Sequence, residues 1–424
     1  MLNPFYYKND TLYCENVSLQ TLAQQTGTPF YVYSQSKLES NLDTLIRAIP
    51  ETVSCLICYA LKANSNPALI KILAGKGCGA EVVSGGELEL ALQSVPPERI
   101  VFSGVGKTDP EIERAIAEKI YCLNIESLAE LNIVNAIAEK MKKTISVAIR
   151  INPDINPKTH PYISTGLKES KFGIEMAHAE EAFRLAVQLP NLDLTGVHCH
   201  IGSMINSVEP YKETVRILKR LILSLKKNGT CLKHIDIGGG LAVQYENIIK
   251  NKYTSESGRN LPPSPEELFK TIWDDLKALG LKIVFEPGRY LVANTAALVS
   301  RVIVTKSNGD KNFIVIDAGM NDLIRPSLYN AFHQIVPVQD LKGKPEIFSV
   351  VGPVCESGDF FANDRPLPRM NRDDLLAVLA AGAYGYTLTS NYNGRPRPPE
   401  ILVTGSEFII IRQREKIQDL WKDT

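Results

Sequence analysis

Apolar residues in this chain come in short runs separated by longer amphipathic stretches. The first clear run, Ser54-Cys55-Leu56-Ile57-Cys58-Tyr59-Ala60-Leu61, closes on Lys62 and gives way to the turn-forming Asn64-Ser65-Asn66-Pro67. A short apolar run bounded by turn residues reads as a buried strand. Further runs end near Ser84 (Ala80-Glu81-Val82-Val83), Gly104 (Ile100-Val101-Phe102), Glu126 (Cys122-Leu123-Asn124-Ile125) and Asn152 (Val147-Ala148-Ile149). The last three end near Gly202 (Gly196-Val197-His198-Cys199-His200-Ile201), Gly240 (His234-Ile235-Asp236-Ile237) and Gly288 (Ile283-Val284-Phe285-Glu286). Stretches between them, such as residues 110–117 and 208–227, carry helical spacing. Eight such strands alternating with helices over about 250 residues predict a (β/α)8 TIM-like barrel spanning residues 36–296. An open doubly wound sheet is the runner-up, but its dinucleotide fingerprint is missing.

From Ala297 the rhythm changes. Strand-like runs such as Val302-Ile303-Val304, Phe313-Ile314-Val315-Ile316 and Ile401-Leu402-Val403 dominate, punctuated by Gly and Pro. Residues 297–424 therefore predict a β-rich barrel or sandwich domain, completed by the short N-terminal strands of residues 1–35. Residues 252–265 read as a surface excursion within the last crossover of the barrel.

Composition narrows the picture. With 424 residues and 44% hydrophobic content, the chain can bury a sizeable core in two or three domains. Lys plus Arg (47) equals Asp plus Glu (47), which removes the electrostatic argument for nucleic acid or an anionic membrane as partner. No basic segment followed by an apolar one marks the N-terminus, and no apolar run is long enough to span a bilayer. The eight cysteines are scattered, mostly through strand-like runs, which predicts buried free thiols and a cytoplasmic protein.

Candidate chemistry concentrates where strands end, because catalytic groups of such barrels gather at the C-terminal ends of the strands. Lys62 closes the first strand, and a partly desolvated lysine can act as a nucleophile. Gly238-Gly239-Gly240 follows the seventh strand, where backbone N–H groups can approach a phosphate closely. Glu286, ahead of Pro287-Gly288-Arg289, ends the eighth strand and needs a partner. That partner is either a protonated ring nitrogen or an ion pair with Arg289 or Arg150. His200 offers an imidazole face for stacking on an aromatic ring. His198-Cys199-His200 has no matching ligand set, so no metal is expected. Two decoys are rejected. Gly104-Val105-Gly106-Lys107-Thr108 lacks the first glycine of a phosphate-binding loop, since that position is Val101. Cys55-Leu56-Ile57-Cys58 is a lone pair of cysteines inside a strand. In the β-rich region, Arg325 to Tyr329, Cys355-Glu356 and Tyr384 would together suit a substrate carrying carboxylate and ammonium groups.

These segments, with Ser84-Gly85-Gly86-Glu87, Lys171-Phe172-Gly173 and Ser390-Asn391-Tyr392-Asn393, resemble the fold-type III pyridoxal-phosphate decarboxylases over nearly the whole chain. The resemblance implies pyridoxal 5'-phosphate as cofactor, carried covalently by Lys62. His200 would stack on its ring. Ser203, Gly238, Gly239, Gly240 and the Pro287-Gly288-Arg289 backbone would hold the phosphate, helped by Tyr384. Glu286 would pair with the ring nitrogen. Substrate binding would fall to Arg289, Arg325, Tyr329, Glu356 and Tyr384, with Cys355 as proton donor. The implied reaction is decarboxylation of meso-diaminopimelate to L-lysine, with ornithine, lysine, arginine or carboxynorspermidine as alternative substrates. The implied assembly is a homodimer in which Cys355 and Glu356 reach the partner's site.

Overall fold

The computed structural model describes residues 3–157, 165–167, 169–250, 261–341 and 343–422. Most of the excursion expected over residues 252–265 lies outside the described residues. The chain divides into two compact units. One holds Leu42–Ala242 with Leu261–Tyr290, and the other holds the remaining described residues.

The first unit is a closed parallel barrel. Its strands are β1 (Cys55–Ala60), β2 (Gly79–Val82), β3 (Ile100–Phe102), β4 (Cys122–Ile125), β5 (Ile145–Asn152), β6 (Leu192–His198), β7 (His234–Asp236) and β8 (Lys282–Phe285). They pair in sequence order, and β8 pairs with β1 to close the ring. All eight predicted strands are present, but most stop two to four residues before the predicted ends. Lys62 lies on a one-turn 3-10 helix, Leu61–Ala63, and His200 lies two residues past β6.

Helices return the chain between strands. Several begin where a serine side chain caps the first turn: Ser84 for Gly85–Leu92, Ser127 for Leu128–Lys140 and Ser264 for Pro265–Lys277. The helix Glu209–Lys227 buries Tyr211, Val215, Leu218, Ile222 and Leu225, the three-and-four spacing of a single packed face.

Alternation along the strands determines what fills the lumen. Leu56, Cys58, Val101, Cys122, Ala148 and Val284 form a compact apolar cluster there. Two residues beyond Val284 on the same alternation comes Glu286. Likewise His198 follows Gly196 on β6, and Asp236 follows His234 on β7. Gly196 stands beside the His234 ring, where a Cβ would lie 2.2 Å from Nε2, so no larger residue fits. The apolar layer thus gives way to a polar one at the C-terminal end of the barrel.

The second unit is built on a nine-stranded sheet. Ala296–Asn308 runs antiparallel to Phe30–Ser34, which in turn pairs in parallel with Glu400–Thr404. A meander of Phe5–Lys8, Thr11–Cys14 and Val17–Ser18 joins the same unit through Phe5, Leu12 and Cys14, which pack on Val299, Val336 and Leu379. The boundaries differ from 36–296 chiefly at residues 243–250, which pack with the β-rich unit. Gln334 clasps Ile249 through N–H to Oε1 (3.0 Å) and Nε2 to O (2.8 Å), and Asn3 Nδ2 donates to Ile248 O at 2.9 Å. Backbone hydrogen bonds satisfied from that side decide where the segment belongs.

Candidate active site

The barrel unit gathers its polar groups at the C-terminal ends of its strands. Lys62 Nζ lies 2.9 Å from Glu81 Oε2, with the lysine side chain 37% exposed and the glutamate buried. Tyr59 Oη donates to Asn64 O at 2.7 Å and fixes the turn that carries Lys62. Glu87 faces the same region, and burial together with the Glu81 charge pushes its carboxyl up to about 7.

The loop after β7 wraps tightly. A Cβ on Gly239 would lie 2.0 Å from Glu286 O, and one on Gly240 (φ +99°) 2.2 Å from Gly202 O. Side chains are excluded on both counts, leaving backbone N–H groups as the lining. Tyr211 Oη donates to Gly239 O at 2.9 Å and ties this loop to the following helix. Gly239 N–H donates to His200 Nδ1 at 3.2 Å. That bond makes Nδ1 the acceptor, and burial followed by the Lys62 charge pushes the imidazole well below its usual range. His200 is therefore a neutral ring with its other nitrogen protonated.

Ser203 Oγ accepts from both Nε and Nη2 of Arg289, each at 3.1 Å. Pro287 O accepts from Ala60 N–H at 3.3 Å, which joins the β8 end to the β1 end. Gly288 sits against Ala60 and Ala63, where a Cβ would come within 3.1 Å of both methyl groups. The ion-pair alternative for Glu286 is corrected here. Arg289 is engaged by Ser203, and Arg150 pairs with Glu126 at 2.7 Å. Glu126 also accepts from Gly104 and Gly173 N–H, so it is the residue that uses Arg150.

The neighbour of Glu286 is instead His198, whose Nε2 lies 3.3 Å from Oε2 without hydrogen-bond geometry. Asp236 completes a buried trio whose ligand-type atoms lie within 4.8 Å of one another. Sequence reasoning missed Glu81, His198 and Asp236 as site residues. The available signal was position: each lies on the last turn of alternation of a barrel strand.

Both decoys resolve structurally. Lys107 is buried and donates to Gly104 O, Asn124 O and Glu130 Oε1 at 2.6–2.8 Å, so its amine ties loops together. Cys55 and Cys58 lie in β1, and all eight cysteines are free. Burial pushes the Cys55, Cys78 and Cys199 thiols up to about 12. Cys355 and Cys231 are the exposed ones.

Arg325, Tyr329, Cys355, Glu356 and Tyr384 belong to the β-rich unit. Arg325 opens the helix Arg325–Tyr329 and is buried, with its guanidinium 4.7 Å from the Tyr245 ring centre. Its Nη1 donates to His333 Nε2 at 2.7 Å, while His333 Nδ1 donates to Leu379 O at 2.8 Å. Cys355 and Glu356 are exposed on a loop held by Asp359, which accepts from Val354 and Met320 N–H. Ser327 donates to Gly358 O, which ties the Arg325 helix to the Cys355 loop. Tyr384 adopts φ +53°, a left-handed conformation that bulky residues hold only under constraint.

Comparison with known proteins decides the family. Residues 35–293 match the model for the pyridoxal-dependent decarboxylase pyridoxal-binding domain. The chain belongs to the pyridoxal-dependent decarboxylases. Over 415 residues this decarboxylase is 46% identical to the diaminopimelate decarboxylase of Aquifex aeolicus, covering 97% of this chain and 96% of that one. The Helicobacter pylori diaminopimelate decarboxylase solved with L-lysine superposes with a TM-score of 0.89 at 40% identity, covering 95% of this chain and 98% of that one. The M. jannaschii enzyme in co-complex with L-lysine gives a TM-score of 0.92 at 36% identity, covering 100% and 99%. The decarboxylase's own site fits pyridoxal phosphate. A neutral imidazole lies beside the glycine loop, Lys62 offers an amine, and Glu286 is a buried carboxylate with no lysine or arginine paired to it among the described residues.

Proposed function

We propose that this chain is a diaminopimelate decarboxylase, converting meso-2,6-diaminopimelate to L-lysine and CO2 in the cytoplasm. The observation that carries the reading is the polar ring at the barrel end, from Lys62 to Arg289, in a chain alike from end to end to enzymes of that name. The cofactor supplies an electron sink for the carbon that loses CO2.

The chain's residues do the rest. Lys62 would hold the cofactor covalently through its side-chain amine. The Gly238–Gly240 loop, through Gly240 N–H because those of Gly238 and Gly239 serve Asp236 and His200, would take the phosphate together with the Ser203 hydroxyl and the Gly288-Arg289 backbone, with Tyr384 assisting. Glu286 would keep a proton on the ring nitrogen, and His200, a neutral imidazole, would lie against the ring without adding a second positive charge. Arg289, Arg325 and Tyr329 recognise the carboxylates, and Glu356 the distal ammonium. Loss of CO2 leaves an electron pair on the α-carbon, and the Cys355 thiol delivers the proton that replaces the carboxylate. Cys355 and Glu356 are exposed, which suits residues that complete the site of a second subunit in a homodimer.

Purified protein reconstituted with pyridoxal phosphate is expected to show a visible absorption band that Lys62→Ala abolishes. It is expected to release CO2 from meso-diaminopimelate and not from ornithine, lysine or arginine. Release from ornithine alone refutes the substrate, and absence of the band in the unsubstituted protein refutes the cofactor reading.

A further inference from the structure

Four buried side-chain atoms gather at one place among the described residues with no donor of fixed role beside them: Nδ1 and Nε2 of His198, Oδ2 of Asp236 and Oε1 of Glu286, the two carboxyls being joined only by a proton that they share. Polar groups in a barrel core are costly, and three of them in one layer call for a reason. The cofactor's ring nitrogen, taken up by Glu286 in the function proposed above, accounts for only one of the four.

Asp236 is anchored on one side, where Oδ1 accepts from Gly238 N–H at 2.9 Å. This couples it to the glycine loop as well as to Glu286. Two carboxyl groups so close in an apolar shell cannot both carry charge. Burial and then the Glu286 charge push Asp236 well above its usual range. For Glu286 burial works in the same direction, but His198 and then Lys62 bring it below. Glu81 also faces the pair, as do the thiols of Cys55, Cys58 and Cys122. The single proton of the pair therefore belongs to Asp236.

Resting on that function, we propose that Asp236 and His198 are positioning residues for Glu286. Asp236 holds the shared proton, His198 flanks the other carboxylate oxygen, and together they reserve one negative charge for the cofactor's ring nitrogen. A group acting this way matters only for a ligand that has that nitrogen. A group that merely fills space matters equally for one that lacks it.

The test measures equilibrium binding of apo protein to pyridoxal phosphate and to its 1-deaza analogue, in which CH replaces the ring nitrogen. Both ligands use Lys62 and the phosphate cradle, so those contributions cancel in the ratio. The variants are Asp236→Leu, His198→Leu and Asp236→Asn. The leucine variants are expected to weaken pyridoxal phosphate binding about tenfold or more, with the analogue unchanged within about twofold. Asp236→Asn, neutral like the protonated acid, is expected to keep the unsubstituted ratio. Equal losses for both ligands, or an Asn variant whose ratio shifts as the leucine variants' does, overturns the proposal. Should the leucine variants not fold, Asp236→Ala and His198→Ala are read on the same ratio: a loss confined to pyridoxal phosphate supports the proposal, and equal losses for both ligands overturn it. Unsubstituted protein that binds neither ligand refutes the function itself, a distinct outcome.

Discussion

Lys62 was legible because punctuation surrounds it: an apolar run before, an Asn-rich turn after. Glu81 was not, although it pairs with Lys62 at 2.9 Å. It sits between Ala80 and Val82 in a strand whose residues are all buried, and an inward-pointing acid there looks like one polar interruption of a core strand. The same holds for Asp236. Glu87 shows what such crowding does. Its carboxyl is raised to about 7 from an ordinary 4.5, burial first and Glu81 second. The sign follows from linkage. A carboxyl raised on folding contributes stability that is full below about pH 4.5 and is lost as pH rises through about 7. Glu87→Gln keeps an acceptor for Val83 N–H but cannot ionise. Its stability relative to the unsubstituted apo protein is expected to rise by about 3 kcal/mol between pH ~4.5 and pH ~8, read by urea unfolding. A difference that is flat with pH shows that Glu87 ionises freely in the fold.

At the scale of elements, the alternation of apolar runs and amphipathic stretches was enough to find every barrel strand. Most of their ends were not, because the chain just past the strand stays buried while the backbone has already left the ladder. Ile237-Gly238 and Cys199-His200 are examples: Cys199 is buried, yet it belongs to the loop. The loop after β3 shows how motif and fold separate. Gly104 to Thr108 resembles part of a phosphate loop, but the Lys107 side chain is 1% exposed and paired with Glu130 at 2.8 Å. Thr108 and Glu111 form the capping box of Asp109–Glu118, and Glu111 also accepts from Gly85 N–H, so neighbouring βα loops are laced together. Lys107→Met leaves Glu130 without its cation and two carbonyls without their donor. It is expected to lower stability by about 3 kcal/mol with cofactor affinity retained, measured by chemical unfolding and by titration with pyridoxal phosphate. Lost affinity at undiminished stability returns the phosphate reading to this loop.

For the whole molecule, composition argued against partners better than it named one. Equal counts of acid and base leave no global field to steer nucleic acid, and among the described residues no helix is long and apolar enough to cross a membrane. The division of labour between units was legible as a change of rhythm near Ala297. What pattern could not show is that residues 243–250 leave the barrel to pack with the β-rich unit, since their hydrogen-bond partners, Gln334 and Asn3, are remote in sequence. The proposed assembly makes a prediction that neither unit makes alone. If each site combines Lys62 of one subunit with Cys355 of the other, Lys62→Ala and Cys355→Ala homodimers are both inactive. After dissociation and random reassembly of an equal mixture, half of the dimers are mixed. One site of each mixed dimer has both native residues and the other has neither, so about a quarter of the unsubstituted activity returns. If Cys355 serves the barrel of its own chain, every site in the mixture carries one substitution and no activity returns. CO2 release measured before and after remixing separates the two arrangements, and a mixture that stays inactive despite demonstrated subunit exchange rules out the shared site.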